Sequence, residues 1–166
     1  MMNIRIEHLT DYKSCIQTIA TWQRDEFGYL TPEVTLEQRI ARLANANDRE
    51  RLPISLLALS EDGNTIVGTA NVLATTLTHK HLSPWLSSVF VPPEHRRQGV
   101  ASALALAAAS EAERLGFSYL FTPHSEPLYS RLGWATFDRV LLHGTPLAIM
   151  ARRTIGPVGN ASLNDL

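Results

Sequence analysis

Arg96-Arg97-Gln98-Gly99-Val100-Ala101-Ser102 stands between an apolar run, residues 85–91, and an alanine-rich run that ends at Gly116. Leu86, Val89, Phe90 and Val91 have the composition of a strand, and Pro92 and Pro93 stop it. Residues 103–115 contain no Pro, Gly or β-branched residue, so a helix follows, and Gly116 suits its C-terminal cap. A loop that turns from strand directly into helix gathers unpaired backbone N–H groups at one point, where the helix dipole adds roughly half a positive charge. Such a point binds phosphate. Gly99 lets the backbone approach an anion with no Cβ in the way, Ala101 keeps the helix start narrow, and Arg96 and Arg97 add fixed charge. The ligand expected over residues 96–102 carries a pyrophosphate; the plainer alternative is a basic turn ahead of a surface helix.

The stretch is not a common nucleotide motif. It lacks G-x-x-x-x-G-K-[ST], and it lacks G-x-G-x-x-G with an acidic residue about twenty positions on. Its pattern, R-x-x-G-x-A after a strand, resembles the acyl-coenzyme A signature of the GNAT N-acetyltransferase superfamily, Q/R-x-x-G-x-G/A. Downstream, Leu128-Tyr129-Ser130-Arg131-Leu132-Gly133-Trp134 is similar to that family's F/L-Y-x-x-L-G-F/W segment. Two ordered motifs at suitable spacing are more specific than either alone.

The chain has 166 residues, 45% of them hydrophobic, which suits one domain with a full core. We expect that domain over residues 1–154 and a polar tail over 155–166. The formal net charge of -1 gives no general affinity for nucleic acid or an anionic membrane. Cys15 is the single cysteine, which excludes an internal disulfide and a Cys-based zinc cluster, so no metal is expected. The first residues lack an apolar signal core and no run approaches the roughly twenty apolar residues of a membrane span, so the expected location is cytoplasmic.

Residues 3–9 alternate as a strand with one wet face. Thr10 and Asp11 are capping types, and Cys15, Ile16, Ile19 and Trp22 fall on a helical stripe after them. Leu36, Ile40 and Leu43 mark a second helix over 35–44. Residues 52–60 and 65–73 are β-rich and joined by a turn containing Gly63, which predicts an antiparallel hairpin. Residues 74–84 are a polar connection, in which His79-Lys80-His81 reads as solvated loop more readily than as half of a metal site. The strand and helix around residues 96–102 come next, then a short strand over 118–122, a short helix over 127–132, and two strands, 134–141 and 146–152. The order βααβββαβαββ predicts an α/β domain with a central mixed sheet flanked by helices. GNAT proteins share that order, and the resemblance covers residues 52–152.

The resemblance implies further expectations. Main-chain groups of Val89, Phe90 and Val91 would bind the pantetheine arm of acetyl-CoA. The acetyl group would pass directly to an amine, and Tyr129, in the family's general-acid position, would protonate the departing thiolate. A tyrosine near pKa 10 is a suitable donor to a thiolate near 8.5, although a core tyrosine under a short helix is the alternative. Many family members carry a Glu or His base on the central strand, whereas residues 85–91 hold neither. The remaining candidates are His124, whose ordinary pKa of about 6.5 is in the useful range, Glu126, Glu26, or a water held by Ser87. Tyr29 and Trp85, with Trp22, could line the acceptor pocket or simply pack in the core, and Glu26 beside Asp25 could attract a cationic amine.

These expectations define an acyl-CoA-dependent N-acetyltransferase acting on a primary amine of a small molecule or peptide; a homodimer is left open. A non-catalytic acyl-CoA-binding or sensory module is the competing reading, favoured by the missing strand base and opposed by Tyr129. A nucleotide-binding protein is the third reading, and the absent nucleotide motifs oppose it.

Overall fold

Strands that are apolar on both faces need cover on both. The computed structural model, which describes residues 3–123 and 127–154, supplies it. The elements are β1 (Ile4–His8), α1 (Ile16–Phe27), α2 (Leu36–Asn45), β2 (Ile54–Ser60), β3 (Ile66–Leu73), β4 (Trp85–Phe90), α3 (Val100–Arg114), β5 (Tyr119–Thr122), α4 (Pro127–Arg131), β6 (Ala135–Leu142) and β7 (Thr145–Arg153). They form one seven-stranded sheet in the order β1-β2-β3-β4-β5-β7-β6. All neighbours are antiparallel except β4 and β5, which α3 connects in parallel. The element order is the expected one. The polar tail expected over 155–166, and His124 and Glu126, lie outside the described residues.

Alternation along β2 assigns the two faces. Ile54, Leu56 and Ala58 pack in one cluster with Leu104, Ala105 and Ala108 of α3, while Leu57 and Leu59 pack with Ile19 of α1 and Leu43 of α2. A third cluster joins Trp85, Phe121 and Ile149 beneath Leu82 of the 74–84 connection. Gly68 on β3 lets α3 sit low on the sheet: a Cβ there would lie 2.8 Å from Val100 Cγ1 and 2.9 Å from Leu104 Cδ1.

Two local expectations are corrected. Thr10 and Asp11 do not start a helix; residues 9–11 and 13–15 are short 3-10 turns and α1 begins at Ile16. The Asp11 carboxylate is engaged instead by the Arg49 guanidinium. His79 is not a solvated loop side chain either. Its ring is mostly covered, lies 5.9 Å from the Phe137 ring centroid, and its Nε2 is 2.7 Å from Asp138 Oδ2. That hydrogen bond holds the Asp138 carboxyl below its ordinary range.

Candidate active site

β4 holds its two neighbours only in part. Trp85 opposite Phe121 is its one register pair with β5, so Ser87 and the residues after it have no β5 partner. On the other side the β3–β4 register slips between Thr69 and Asn71, with Thr69 opposite Phe90 and Asn71 opposite Ser87. Ser88 in this bulge takes a left-handed φ of 56°. A bulge bends its strand and re-aims the residues beyond it. Here Val89, Phe90 and Val91 line a cleft of about 560 Å³ together with Arg96, Arg97, Gly99, Val100, Ala101, Ser102 and Tyr129. Gln98 is in the loop but does not line the cleft.

The loop conformation suits an anion. Arg97 and Gly99 are both left-handed, at φ 63° and 83°, and Gly99 is the N-cap of α3. The first helical bond runs from the Ala103 N–H to the Gly99 carbonyl, 3.0 Å, so the N–H groups of Val100, Ala101 and Ser102 precede the helical ladder. Successive N–H groups around left-handed residues make an anion-binding concavity. Arg96, which lines the cleft, also has a structural contact. Its Nε donates to the Val91 carbonyl at 2.8 Å and its guanidinium lies 5.9 Å over the Phe90 ring, tying the loop to the end of β4.

Tyr129 is positioned by the way α4 ends. The Trp134 N–H donates to the Tyr129 carbonyl (2.9 Å) and the Gly133 N–H to the Ser130 carbonyl (3.3 Å), with Gly133 at φ 100°. This is a Schellman cap, in which Gly occupies the left-handed position and the residues on either side of the crossing bond touch. The touching pair is Tyr129 and Trp134, ring centroids 5.6 Å apart and nearly perpendicular. Trp134 Nε1 donates to the Leu120 carbonyl of β5, and Tyr129 is left 3% exposed against the cleft. The spacing Y-x-x-x-G-W thus has a mechanical meaning.

A second cavity of about 740 Å³ adjoins the first; Glu26 and Phe27, at the end of α1, line both. Of its floor, only Ser87 was expected from the sequence. Ser55, Asn71 and Ser87 are register partners across β2, β3 and β4, and all three line the cavity. Ser55 Oγ donates to Asn71 Oδ1 at 2.9 Å, and Gln23 of α1 meets Asn71 at 3.3 Å. The signal was a polar residue inside an apolar run, at 55 and at 71; Gln23, followed by Arg24, Asp25 and Glu26, carried no such signal. Tyr29, 58% exposed, and Arg39 and Arg42 of α2 also line this cavity.

Of the expected acceptor-side residues, Glu26, Tyr29 and Ser87 are brought together and Trp85 is not. Trp85 is fully buried, its Nε1 bonded to the Leu82 carbonyl at 2.7 Å, and it lines neither cavity. Trp22 packs on Phe90 at 5.6 Å. His124 lies outside the described residues, following Pro123, which lines the second cavity. Among the described residues no three His, Cys, Asp or Glu side chains are grouped as a metal ion would need, and no helix is long and apolar enough to cross a membrane.

The sheet is opened at its centre, with the loop of residues 96–99 beside the opening, and sequence comparison assigns the class. The chain belongs to the acetyltransferase (GNAT) family, whose model matches residues 16–134. No curated protein matches it in sequence. Solved structures share the fold at low identity. A GCN5-related N-acetyltransferase from Kribbella flavida is 21% identical with a TM-score of 0.71, over 90% of this chain and 97% of that one. The acetyltransferase yncA of Salmonella typhimurium, solved with its cofactor acetyl-CoA, is 16% identical with a TM-score of 0.68, over 95% and 96%. A mutant spermidine N-acetyltransferase of Vibrio cholerae is 13% identical with a TM-score of 0.67, over 91% and 94%.

Proposed function

We propose that this chain transfers the acetyl group of acetyl-CoA directly to a primary amine of a small molecule or peptide. The observation that carries the reading is the meeting of the anion loop, the end of β4 and Tyr129 in one cleft, with a second cavity opening on it at Glu26 and Phe27. The cleft suits acetyl-CoA: backbone donors at residues 100–102 and the Arg97 charge face the pyrophosphate, and Val89 and Phe90 offer main-chain groups to the pantetheine arm. The amine enters from the second cavity.

The acceptor nitrogen forms a bond to the thioester carbonyl carbon, the C–S bond breaks, and its electron pair leaves with sulfur. Tyr129 gives that sulfur a proton, and the nitrogen loses one. A lysine-like ammonium, pKa near 10.4, must first be deprotonated, at a cost of roughly 4 to 5 kcal/mol at pH 7. His124 is our choice of base, directly or through a water near Ser87. The acidic limb of kcat/KM should then bend near roughly 6 to 7, and His124→Ala should abolish the bend; a bend that tracks the acceptor's own pKa and survives the substitution removes the assignment. Cys15 lines neither cavity, in keeping with attack that needs no acyl-enzyme.

The direct test is thiol release from acetyl-CoA over a panel of amino acids, polyamines, aminoglycosides and peptides. Release with at least one amine is expected. Binding of acetyl-CoA with release on none would leave a non-catalytic acyl-CoA-binding module.

A further inference from the structure

We infer that the second cavity selects an amine that also carries a carboxylate, Arg39 and Arg42 receiving the carboxylate while the amine lies toward Glu26. The inference rests on the acetyltransferase reading above, which makes this cavity the acceptor's.

Charge is the first argument. Among the described residues the cavity lining holds two arginines and one carboxylate, Glu26, and Glu26 lies where the two cavities meet. Between them the floor is polar but neutral, the row Ser55, Asn71 and Ser87 with Gln23. Acceptors with several ammonium groups would add positive charge to a site that already has an excess of it.

The second argument is that neither arginine has found a counter-ion. Neither makes an ion pair with any described residue. Arg39 makes one side-chain hydrogen bond, from Nη2 to Thr31 Oγ1 at 2.6 Å, and its Nε is buried with no acceptor. Burial and the neighbouring Arg42 and Arg24 all disfavour its charge; Glu33 acts in the opposite sense, from beyond ion-pair distance. The end of α1 gives partial compensation, since a Cβ on Gly28 would be only 4.0 Å from Arg39 Nη2. A partly buried guanidinium without a carboxylate is costly, and its planar fork matches a carboxylate better than any other common acceptor group.

The test compares each amino carboxylate with its carboxamide: glycine, β-alanine, 4-aminobutyrate and glutamate as acceptors, with spermidine alongside, reading thiol release. The carboxylate should exceed its amide in kcat/KM by roughly 10- to 100-fold for at least one chain length. Arg42→Gln and Arg39→Gln should each erase most of that ratio by raising KM for the carboxylate; Arg42 is exposed, so its variant is expected to fold. Equal use of acid and amide, or spermidine as the best acceptor, overturns the inference while leaving the acetyltransferase reading intact. Should no amine release thiol, that reading fails, and calorimetry with the N-acetylated amino acids judges the cavity by itself. Binding that is lost with the N-acetyl amides and in Arg42→Gln supports the carboxylate site, and no binding, or equal binding of the amides, removes it.

Discussion

Tyr129 shows how much one side chain's function can depend on a helix end. Its ring lines the cleft where Gly133 reverses the chain and Trp134 packs against it, and the Arg152 guanidinium lies 5.4 Å over the Trp134 ring while its Nε donates to the Leu132 carbonyl. Tyr129→Phe keeps the ring and removes the hydroxyl, and with it the proton donor. We expect kcat to fall roughly 10²- to 10⁴-fold with coenzyme affinity nearly unchanged, measured by steady-state kinetics and calorimetry. An equally active variant would mean that the thiolate leaves unassisted. Tyr129 could be singled out in the sequence because its neighbours repeat a recognisable spacing. Arg39 and Arg42 could not. On an amphipathic helix the apolar stripe is read first, and a charged residue beside it looks the same whether it faces water or a cavity.

At the scale of elements, the placement of α3 on β3 is the fit on which the cleft depends. A Cβ on Gly68 would meet Val100 and Leu104 of α3 and, at 3.2 Å, the Phe90 carbonyl of β4. Val100 and Phe90 both line the first cleft, so anything that lifts the helix there also opens the cleft. Gly68→Ala should lower stability by about 1 to 3 kcal/mol through overpacking and weaken acetyl-CoA binding as well. Gly144→Ala, strained at φ 78° in the exposed β6–β7 turn with open space around it, should lower stability without touching affinity. Denaturant unfolding and calorimetry on both variants separate the effects, and a Gly68→Ala protein with both properties unchanged would show that the helix tolerates the displacement. Element order was legible throughout, because Pro, Gly and apolar runs mark it directly. The bulge in β4 was not. Residues 85–91 read as one continuous strand, and the left-handed Ser88 that aims Val89 and Phe90 into the cleft is a consequence of pairing with β3 and of parting from β5.

For the molecule as a whole, the two cavities explain why distant parts of one chain must fold together. The first cleft, where we place the coenzyme, draws on the end of α1, the end of β4, the loop before α3, the start of α3, and α4. No one of these segments forms the cleft alone, so a ligand held there binds the folded chain and not the unfolded one. Linkage then fixes the size of the effect. At a free concentration about 100 times its Kd, a ligand of the native state adds about 2.7 kcal/mol. For a domain of this length each kcal/mol moves Tm by roughly 2 to 4 °C, which predicts a rise of roughly 5 to 10 °C in a thermal melt with saturating acetyl-CoA. Gly99→Val tests the anchor. Its β-branched side chain is strained at φ 83° and would stand between the anion and the first N–H groups of α3, so the variant should melt somewhat lower and lose most of the ligand-induced rise. A wild-type melt indifferent to acetyl-CoA would remove the coenzyme from this cleft, and a full rise in folded Gly99→Val would move its pyrophosphate away from residues 96–102.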